Sequence, residues 1–356
     1  MKDKKKNDRI YNVAVIGAGG IGIDHITSFQ KHPNARVVAI AETSAARGSE
    51  AAELHNIPEV VTDYKKLIAH PGIDVISIAL PNYLHAPVAL AALRAGKHVM
   101  IDKPMATRAA DAARLVAEAR NQKRLLMVGQ NNRFTPEVQT AKKLIADGVP
   151  GDVYHAKTAW TRRAGIPRIG SWFTQKKYAS GGATYDIGVH ALDRCLYLMG
   201  EFDAAAVSGQ TYSKFGPRGL GDGNWGKGEI DPSRRFDVDD LSVALIKLKS
   251  GRTVLLEASW AAHQPAPDFN GTQLFGTDAG ILFPPLQLFR DTPRGYVTEL
   301  VKTSAPYAST NRMTHFIDCL LGKAEPYVKP AESLAVQKIL DAIYLSAKTG
   351  KEVRVK

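Results

Sequence analysis

A glycine-rich turn near the N-terminus limits the folds open to this chain more than any other feature. An apolar run, residues 13–16, leads directly into a G-x-G-x-x-G pattern and then into a helical pattern. The six residues of the pattern are Gly17, Ala18, Gly19, Gly20, Ile21 and Gly22. Glycines here permit a tight turn and let the backbone approach a pyrophosphate at the N-terminus of the following helix. The pattern therefore predicts a dinucleotide-binding α/β fold.

The acid that follows this turn indicates which dinucleotide is bound. Glu42 ends the next apolar strand, 20 positions beyond Gly22, where an acid hydrogen-bonds the adenosine ribose hydroxyls. A carboxylate at that point repels a 2′-phosphate, so we expect NAD as the cofactor and keep NADP as the alternative. Arg47 would reach such a phosphate only if Glu42 swung away, and a solvated helix residue is the better interpretation of Arg47.

Short apolar runs alternate with helical patterns through the first third of the chain. Strands are predicted at 13–16, 36–41, 60–61, 74–80, 98–101 and 125–128, with helices between them. This rhythm is typical of βαβ units and predicts a doubly wound, largely parallel sheet, a Rossmann domain over residues 10–130. Residues 1–9 are predicted to form a disordered, charged tail.

After about residue 130 the pattern changes to longer stretches rich in Thr, Val, Tyr and Trp. Alternating runs at 153–160, 241–248 and 253–260 predict a second α/β domain, residues 131–356, with a large open, mainly antiparallel sheet. The polar segment 213–237 predicts a surface loop, and a lid over a site is one interpretation of it. A closing helix over about 331–349 is assigned to this domain, with packing back on the Rossmann domain as the alternative.

Composition excludes several classes of protein. The 356 residues include 44% hydrophobic and 23% charged residues, ordinary values for a soluble globular protein of two domains. No run approaches the ~18 apolar residues of a membrane span, and the N-terminus lacks the apolar stretch of a secretory signal. Two cysteines are too few for a disulfide framework. Most of the formal net charge of +12 is scattered, so we expect no nucleic-acid partner, no membrane association and a cytoplasmic location.

Polar side chains follow two neighbouring strands of the predicted parallel sheet. Asn82 and His85 come directly after the strand at 74–80, and Lys103 follows the strand at 98–101. Because ligands bind beyond the carboxyl ends of strands in open α/β sheets, these three residues are predicted to contact the cofactor. The alternatives are a turn residue for Asn82 and a helix cap for His85.

The stretch SGGATYDIGVHALDR, residues 180–194, places acids and a histidine at helical spacing. Asp186, His190 and Asp193 fall at i, i+4 and i+7, so a helix puts them on one face. Spacing alone leaves three interpretations open: metal ligands, an acid/base pair for proton transfer, or a satisfied histidine in an ordinary helix. Gly181 and Gly182 indicate a close approach of the backbone to a nicotinamide or substrate before the helix begins.

Two motifs in order behind the dinucleotide turn resemble those of the Gfo/Idh/MocA oxidoreductases, the glucose–fructose oxidoreductase, inositol dehydrogenase and rhizopine-catabolism family. Asp102-Lys103-Pro104 is similar to its Glu-Lys-Pro motif, with Asp as a departure that leaves the lysine in place. Residues 181–193 are similar to its GG-x-x-x-D-x-G-x-H-x-x-D motif. The resemblance runs through nearly all of the chain. It implies nicotinamide-dependent oxidation or reduction of a sugar, cyclitol or related polyol, and a homo-oligomer, dimer or tetramer, formed through the open sheet.

The resemblance also implies roles for individual residues. Lys103, Asp186 and His190 become the catalytic group, with His190 as general acid/base, and no metal is expected. The chemistry agrees, because oxidation of a carbinol needs a base whose pKa lies near the working pH, as that of histidine does. Asp193 is expected to be structural. Substrate contacts are expected from the catalytic group and from two residues ahead of the motif, Arg163 and Trp172.

The leading expectation is an NAD-dependent dehydrogenase acting on a secondary hydroxyl of a sugar, glycoside or cyclitol. The enzymatic alternative is an NADP(H)-dependent keto-sugar reductase, which Glu42 disfavours. A dinucleotide-sensing regulator without turnover is the alternative of another class, and the intact set of Lys103, Asp186 and His190 disfavours it.

Overall fold

The structure, a computed structural model, describes residues 9–225, 230–303 and 311–356 of the chain. The chain divides into two compact units, one of residues 1–130 with 310–334 and one of residues 131–309 with 335–356. The predicted disordered tail lies outside the described residues except for Arg9. The Arg9 guanidinium is 2.7 Å from the Asp74 carboxylate, so this residue is anchored to the first unit.

Six strands of the first unit form a fully parallel sheet in the order β3-β2-β1-β4-β5-β6. The strands are β1 (Tyr11–Ile16), β2 (Ala35–Ala41), β3 (Glu59–Val61), β4 (Val75–Ile78), β5 (His98–Ile101) and β6 (Leu126–Val128). Five helices connect them: α1 (Gly20–Gln30), α2 (Ala45–His55), α3 (Tyr64–Ala69), α4 (Asn82–Arg94) and α5 (Ala109–Asn121). β4 is buried along its whole length, as a strand covered on both faces must be. The order reverses between β1 and β4, where open parallel sheets bind their ligands.

Nine strands form the sheet of the second unit, in the order β14-β13-β12-β11-β7-β10-β9-β8-β15. The strands are β7 (Val153–Arg162), β8 (Ala204–Tyr212), β9 (Leu241–Leu248), β10 (Thr253–Ser259), β11 (Asp268–Gly276), β12 (Gly280–Phe283), β13 (Gln287–Thr292), β14 (Gly295–Leu300) and β15 (Val353–Arg354). Among the neighbouring pairs, β7 and β10 are parallel and the others are antiparallel. The predicted fold class is therefore confirmed for both sheets.

Helices cover one face of this nine-stranded sheet. In sequence order, the helices that follow β6 are α6 (Pro136–Ala146), α7 (Lys176–Ala179), α8 (Val189–Met199), α9 (Arg312–Leu321) and α10 (Pro330–Thr349). Of these, α9 lies in the first unit. Leu192 and Leu196 of α8 share a core with Ile246 and Leu256 of the sheet. Burial alternates along β9, so the opposite face of that strand stays open.

Helix α9 belongs to the first unit, although its place in sequence had assigned it to the second domain. Phe316 packs edge to face on Phe29 of α1, with ring centroids 6.5 Å apart. Arg312 forms an ion pair with Asp24 at 2.6 Å. Local pattern identifies such a late helix as amphipathic, but these long-range contacts decide which sheet it covers.

Two other sequence predictions concern the surface. Residues 226–229 of the predicted loop at 213–237 lie outside the described residues, and its described part contains a short 3₁₀ turn, Gly216–Arg218. The suggestion that this loop is a lid stays a prediction. In the described ranges, we find no helix with both the length and the apolar character needed to cross a membrane.

Candidate active site

The glycine turn joins β1 to α1 and leaves open space beside the start of the helix. Gly17 has a φ of +97°, and a Cβ there would meet the carbonyl oxygen of Ala79. A Cβ on Gly22 would meet the carbonyl oxygen of Gly17. At Gly19 and Gly20, by contrast, nothing lies within 4 Å of the Cβ position. The first turn of α1 therefore faces a cradle that fits a pyrophosphate group.

The Glu42 carboxylate closes one side of this turn. It accepts hydrogen bonds from the Ala18 amide (2.9 Å), the Ser44 amide (3.0 Å) and the Arg47 guanidinium (2.7 Å). Burial raises the pKa of Glu42, but the bonds from Arg47, Ser44 and Ala18 outweigh burial and hold the pKa at about 2. Glu42 is therefore ionised at neutral pH. Arg47, interpreted from sequence as a solvated helix residue, is instead its ion-pair partner.

His85 links the ends of two strands of the parallel sheet. It lies one turn beyond Asn82, the buried first residue of α4, and is itself 1% exposed. Its ring nitrogens lie 2.7 Å from the carbonyl oxygens of Pro104 and Leu80. Burial lowers the pKa of His85, and a neutral imidazole donates to one of these carbonyls at a time. His85 is therefore a structural tie between the two strand ends, and its predicted contact with the cofactor stays a prediction.

Asp102 fixes the segment that carries Lys103. The Asp102 carboxylate is 3.8 Å from Nε2 of His25, whose Nδ1 lies 2.8 Å from the Ser77 hydroxyl of β4. Burial raises the pKa of Asp102, but His25 and Arg312 together lower it further, so it lies below its usual range. The acid of the motif is thus held inside the first unit. Lys103 follows it, half-buried, just beyond the carboxyl end of β5.

Asp186 and His190 lie one turn apart in the second unit. A π-helical turn of five residues, Thr184–Gly188, carries Asp186 and runs directly into α8, which carries His190. The helix expected from the spacing of these side chains is therefore present, with a wider first turn of a kind often found at functional sites. Asp186 and His190 are 7% and 8% exposed.

Each member of this pair contacts a tryptophan. Nε1 of Trp260 donates a 2.8 Å hydrogen bond to Oδ2 of Asp186. The ring of Trp160 lies 5.7 Å from the ring of His190, at 52°. Trp160 lies near the carboxyl end of β7 and Trp260 directly follows β10, and these two strands pair in parallel. The parallel pairing therefore brings both indoles to the same pair of side chains.

Gly181 and Gly182 pack against the protein itself. A Cβ on Gly182 would meet the Asp239 carbonyl oxygen, and a Cβ on Gly181 would meet the Tyr344 hydroxyl. The Asp239 carboxylate also accepts bonds from the amides of Gly182 (2.7 Å) and Thr184 (3.0 Å). These contacts give both glycines an internal packing role, and their expected approach to nicotinamide or substrate stays a prediction.

Asp193 is held in a buried salt bridge with Arg133. Nε and Nη2 of Arg133 donate to the two carboxylate oxygens at 2.7 and 2.6 Å, and both side chains are at most 1% exposed. The Arg133 guanidinium also lies 4.7 Å from the ring centroid of Tyr197. This pairing supports the structural interpretation of Asp193 over a metal-ligand one. Across the described residues, no three His, Cys, Asp or Glu side chains are grouped as metal ligands.

The two predicted substrate residues make other contacts. The Arg163 guanidinium donates to the carbonyl oxygens of Gln264 (3.2 Å) and Pro265. Trp172 stacks on the adjacent Phe173, with ring centroids 3.8 Å apart. Arg162, one position earlier, lies 4.8 Å from the ring centroid of Trp160. Because successive side chains of a strand point to opposite faces, a choice between neighbouring arginines decides the face that is reached.

Comparison with known proteins identifies the family of the chain. Residues 11–130 match the model of the GFO/IDH/MocA oxidoreductase family, with an NAD-binding Rossmann fold, and residues 138–282 match the GFO/IDH/MocA C-terminal domain. Levoglucosan dehydrogenase of Pseudarthrobacter phenanthrenivorans is 31% identical over 291 residues, which cover 76% of this chain and 73% of that protein. The chain belongs to this family.

Further members resemble this GFO/IDH/MocA chain along almost its whole length. D-glucoside 3-dehydrogenase of Escherichia coli is 28% identical over 348 residues, which cover 96% of this chain and 97% of that protein. A levoglucosan dehydrogenase solved in complex with NADH and levoglucosan superposes with a TM-score of 0.85 at 26% identity, covering 98% of this chain and 100% of that one. The chain is therefore an oxidoreductase with an NAD-binding Rossmann fold.

Sequence reasoning missed several residues around the site of this GFO/IDH/MocA chain. Trp160 and Trp260 are the last residues of the alternating runs at 153–160 and 253–260, which are predicted strands. Their position at the carboxyl ends of two strands was the sequence signal that could have identified them. Arg133 and Asp239 carried no local signal, because their partners are about 60 positions away in sequence.

Proposed function

We propose that this chain is an NAD-dependent dehydrogenase that oxidises a secondary hydroxyl of a sugar, glycoside or cyclitol. The observation that carries the proposal is the buried Asp186–His190 pair, with Asp186 held by Trp260 and His190 beside Trp160. An acid and an imidazole one helical turn apart are suited to proton transfer from a hydroxyl. The names of the relatives, D-glucoside 3-dehydrogenase and levoglucosan dehydrogenase, support a sugar or glycoside as substrate.

His190 acts as the general base. The substrate O–H bond breaks as its proton passes to the neutral imidazole, and the C–H bond of the same carbon releases a hydride, leaving a ketone. NAD, when bound, supplies the hydride acceptor. Asp186 orients His190 and stabilises the imidazolium that forms, as a carboxylate beside a catalytic imidazole does. The resemblance assigns Lys103 to the developing alkoxide charge, which an ammonium group stabilises.

The environment of Glu42 supports NAD as the cofactor. An ionised Glu42 beside the Ala18 amide accepts the ribose hydroxyls and repels a 2′-phosphate. NADP-linked reduction of a keto-sugar is the second candidate, and one observation favours it. Arg47 already lies 2.7 Å from Glu42, so a 2′-phosphate arriving there would meet a guanidinium.

We further propose that the open face of the nine-stranded sheet forms the interface of a homo-oligomer, a dimer or tetramer. Leu255 and Phe269, on β10 and β11, are 41% and 47% exposed, and Val243 on β9 is 37% exposed. Large apolar side chains exposed on the same sheet mark an interaction surface. Sedimentation of the protein gives the test, and a monomer at micromolar concentration would contradict this part of the proposal.

A substrate panel tests the proposed reaction. Sugars, inositols and glucosides are incubated with NAD or NADP, and NADH or NADPH formation is followed by absorbance. We expect NAD-linked oxidation of at least one member, and loss of at least about 100-fold in kcat for His190→Ala, the typical contribution of a general base. His70→Ala, at an exposed histidine of the first unit, is the matched control. Near-normal turnover by His190→Ala would overturn the role of His190.

A further inference from the structure

A row of planar side chains extends outward from His190 within the second unit. Trp160 lies beside the His190 ring, and the Arg162 guanidinium lies 4.8 Å from the ring centroid of Trp160. The same guanidinium also lies 5.7 Å from the ring centroid of Trp225. Phe173 supports Trp225 in an edge-to-face contact, with centroids 5.8 Å apart. A series of aromatic and guanidinium contacts thus leads from His190 to Trp225.

Glycines and backbone hydrogen bonds hold this surface in place. A Cβ on Gly165 would meet the Arg162 side chain, and a Cβ on Gly223 would lie 2.6 Å from Cδ1 of Trp225. Nε1 of Trp225 donates a 3.0 Å hydrogen bond to the carbonyl oxygen of Gly165. The Gly223 amide donates to the carbonyl oxygen of Ile166 at 2.9 Å. Trp225 is therefore anchored, although it is 38% exposed.

Asp268 balances the charge of the surface. One carboxylate oxygen accepts from Nε1 of Trp160 at 3.1 Å, and the other accepts from Nε of Arg162 at 3.3 Å. Because the cation is paired, the surface carries little net charge to attract a phosphate or carboxylate. Both indole N–H groups, of Trp160 and Trp225, are already donated to protein oxygens, so the ring faces are what a ligand meets.

We propose that Trp160, Arg162 and Trp225 form a second subsite, which binds the uncharged second ring of a glycoside while the first ring reacts at His190. The apolar face of a sugar ring or an aromatic aglycone packs on the indoles and the guanidinium plane. The outer guanidinium nitrogens of Arg162 donate to ring hydroxyls. This inference rests on the proposed function and extends it, because it makes glycosides and disaccharides preferred over single-ring sugars.

The test compares one-ring and two-ring substrates. Methyl D-glucoside serves as the one-ring probe, and phenyl D-glucoside and cellobiose serve as the two-ring probes, each with NAD. In the wild-type protein we expect kcat/KM to be about five- to thirty-fold higher for a two-ring probe, the scale of one aromatic packing contact. Trp225→Ala is expected to remove that advantage through KM, and to change kcat/KM for methyl D-glucoside less than about two-fold.

Two further variants separate binding from folding. Arg162→Lys keeps the charge that pairs with Asp268 and loses the guanidinium plane, so it too should lower the two-ring preference. Tyr296→Ala removes an aromatic that is 69% exposed on β14, and it should leave the preference unchanged. A wild-type protein without two-ring preference would overturn the subsite, and so would Trp225→Ala lowering kcat/KM equally for both probe types.

Calorimetry keeps this inference separate from the proposed reaction. Absence of NADH formation with every sugar would count against the proposed function. Binding of the same probes in the presence of NAD can be measured by calorimetry even in that case. Tighter binding of cellobiose or phenyl D-glucoside than of methyl D-glucoside, lost in Trp225→Ala, would support the subsite. No difference in affinity, or tighter binding of glucose 6-phosphate than of any neutral probe, would overturn it.

Discussion

Replacement of Glu42 by Gln should destabilise the first unit in a pH-dependent way. The Glu42 side chain is 6% exposed and forms an ion pair with Arg47 at 2.7 Å. Its carboxylate also accepts from the Ala18 and Ser44 amides. A Gln side chain has nearly the same shape as Glu but carries no charge. Its NH₂ group cannot accept the hydrogen bonds that one carboxylate oxygen of Glu42 accepts.

The magnitude follows from the pKa. Glu42 titrates at about 2 in the folded protein against 4.5 for the free side chain, which corresponds to about 3 kcal/mol in favour of the ionised form. Because Gln keeps one acceptor oxygen, we expect a loss of about 2–3 kcal/mol in the free energy of unfolding at neutral pH. For a unit of this size that loss lowers Tm by about 4–10 °C.

The sign of the pH dependence is fixed by the direction of the shift. A carboxyl whose pKa is lowered on folding stabilises the protein above its unfolded pKa of 4.5, and that stability is lost as the pH falls toward about 2. The difference in unfolding free energy between wild type and Glu42→Gln should therefore be largest at neutral pH and smaller at about pH 3.5. Thermal and urea unfolding, followed by circular dichroism, measure both quantities.

Glu53→Gln provides the matched control, since Glu53 is exposed on the neighbouring helix α2. It should change Tm by less than about 1 °C, as surface substitutions usually do. Equal destabilisation by the two variants would refute the reasoning, and so would a Glu42→Gln effect that stays constant from neutral pH to about pH 3.5.

Two further predictions concern the second unit. Trp260→Phe removes the hydrogen bond to Asp186 while keeping an aromatic ring, and we expect kcat to fall by about 10- to 100-fold, the cost of one bond to a charged group. Steady-state kinetics and a shifted pH–rate profile check this prediction. Unchanged kcat in a folded variant would show that Trp260 does not position Asp186. Arg133→Met removes the guanidinium that forms the salt bridge with buried Asp193, and should cost about 3–5 kcal/mol in unfolding free energy. The double variant Arg133→Met with Asp193→Leu should recover much of that loss in urea unfolding, and a loss equal to or larger than that of the single variant would contradict this account of the pair.

Local pattern was sufficient for the parallel sheet of the first unit and for the helices between its strands. Each strand of a parallel sheet is a short apolar run and each connection is a helix, so residues 11–128 could be placed in order from sequence. The glycine turn and Glu42 can also be identified from sequence. The glycines are required there because Gly17 has a positive φ and a Cβ on Gly22 would meet a backbone carbonyl. In these cases the physical requirement lies within a few residues of the signal.

The second unit shows why the remainder could not be read from sequence. The parallel pairing of β7 with β10 joins segments about 100 positions apart, and it is this pairing that brings Trp160 and Trp260 to Asp186 and His190. A choice between Arg162 and Arg163 as the substrate contact could not be made from sequence for a related reason, because the face that a strand residue occupies depends on register. Long-range pairing, which no local period encodes, therefore decides the surroundings of the site.

The central claim is that His190 takes the proton while a sugar carbinol loses its hydride to NAD. The most direct measurement is NADH formation across pH with an oxidised glucoside, for wild type and His190→Ala, with NAD binding measured in parallel. We predict that His190→Ala binds NAD normally but turns over at least about 100-fold more slowly than the wild type across the pH range. A variant with wild-type turnover and the same pH profile would contradict it.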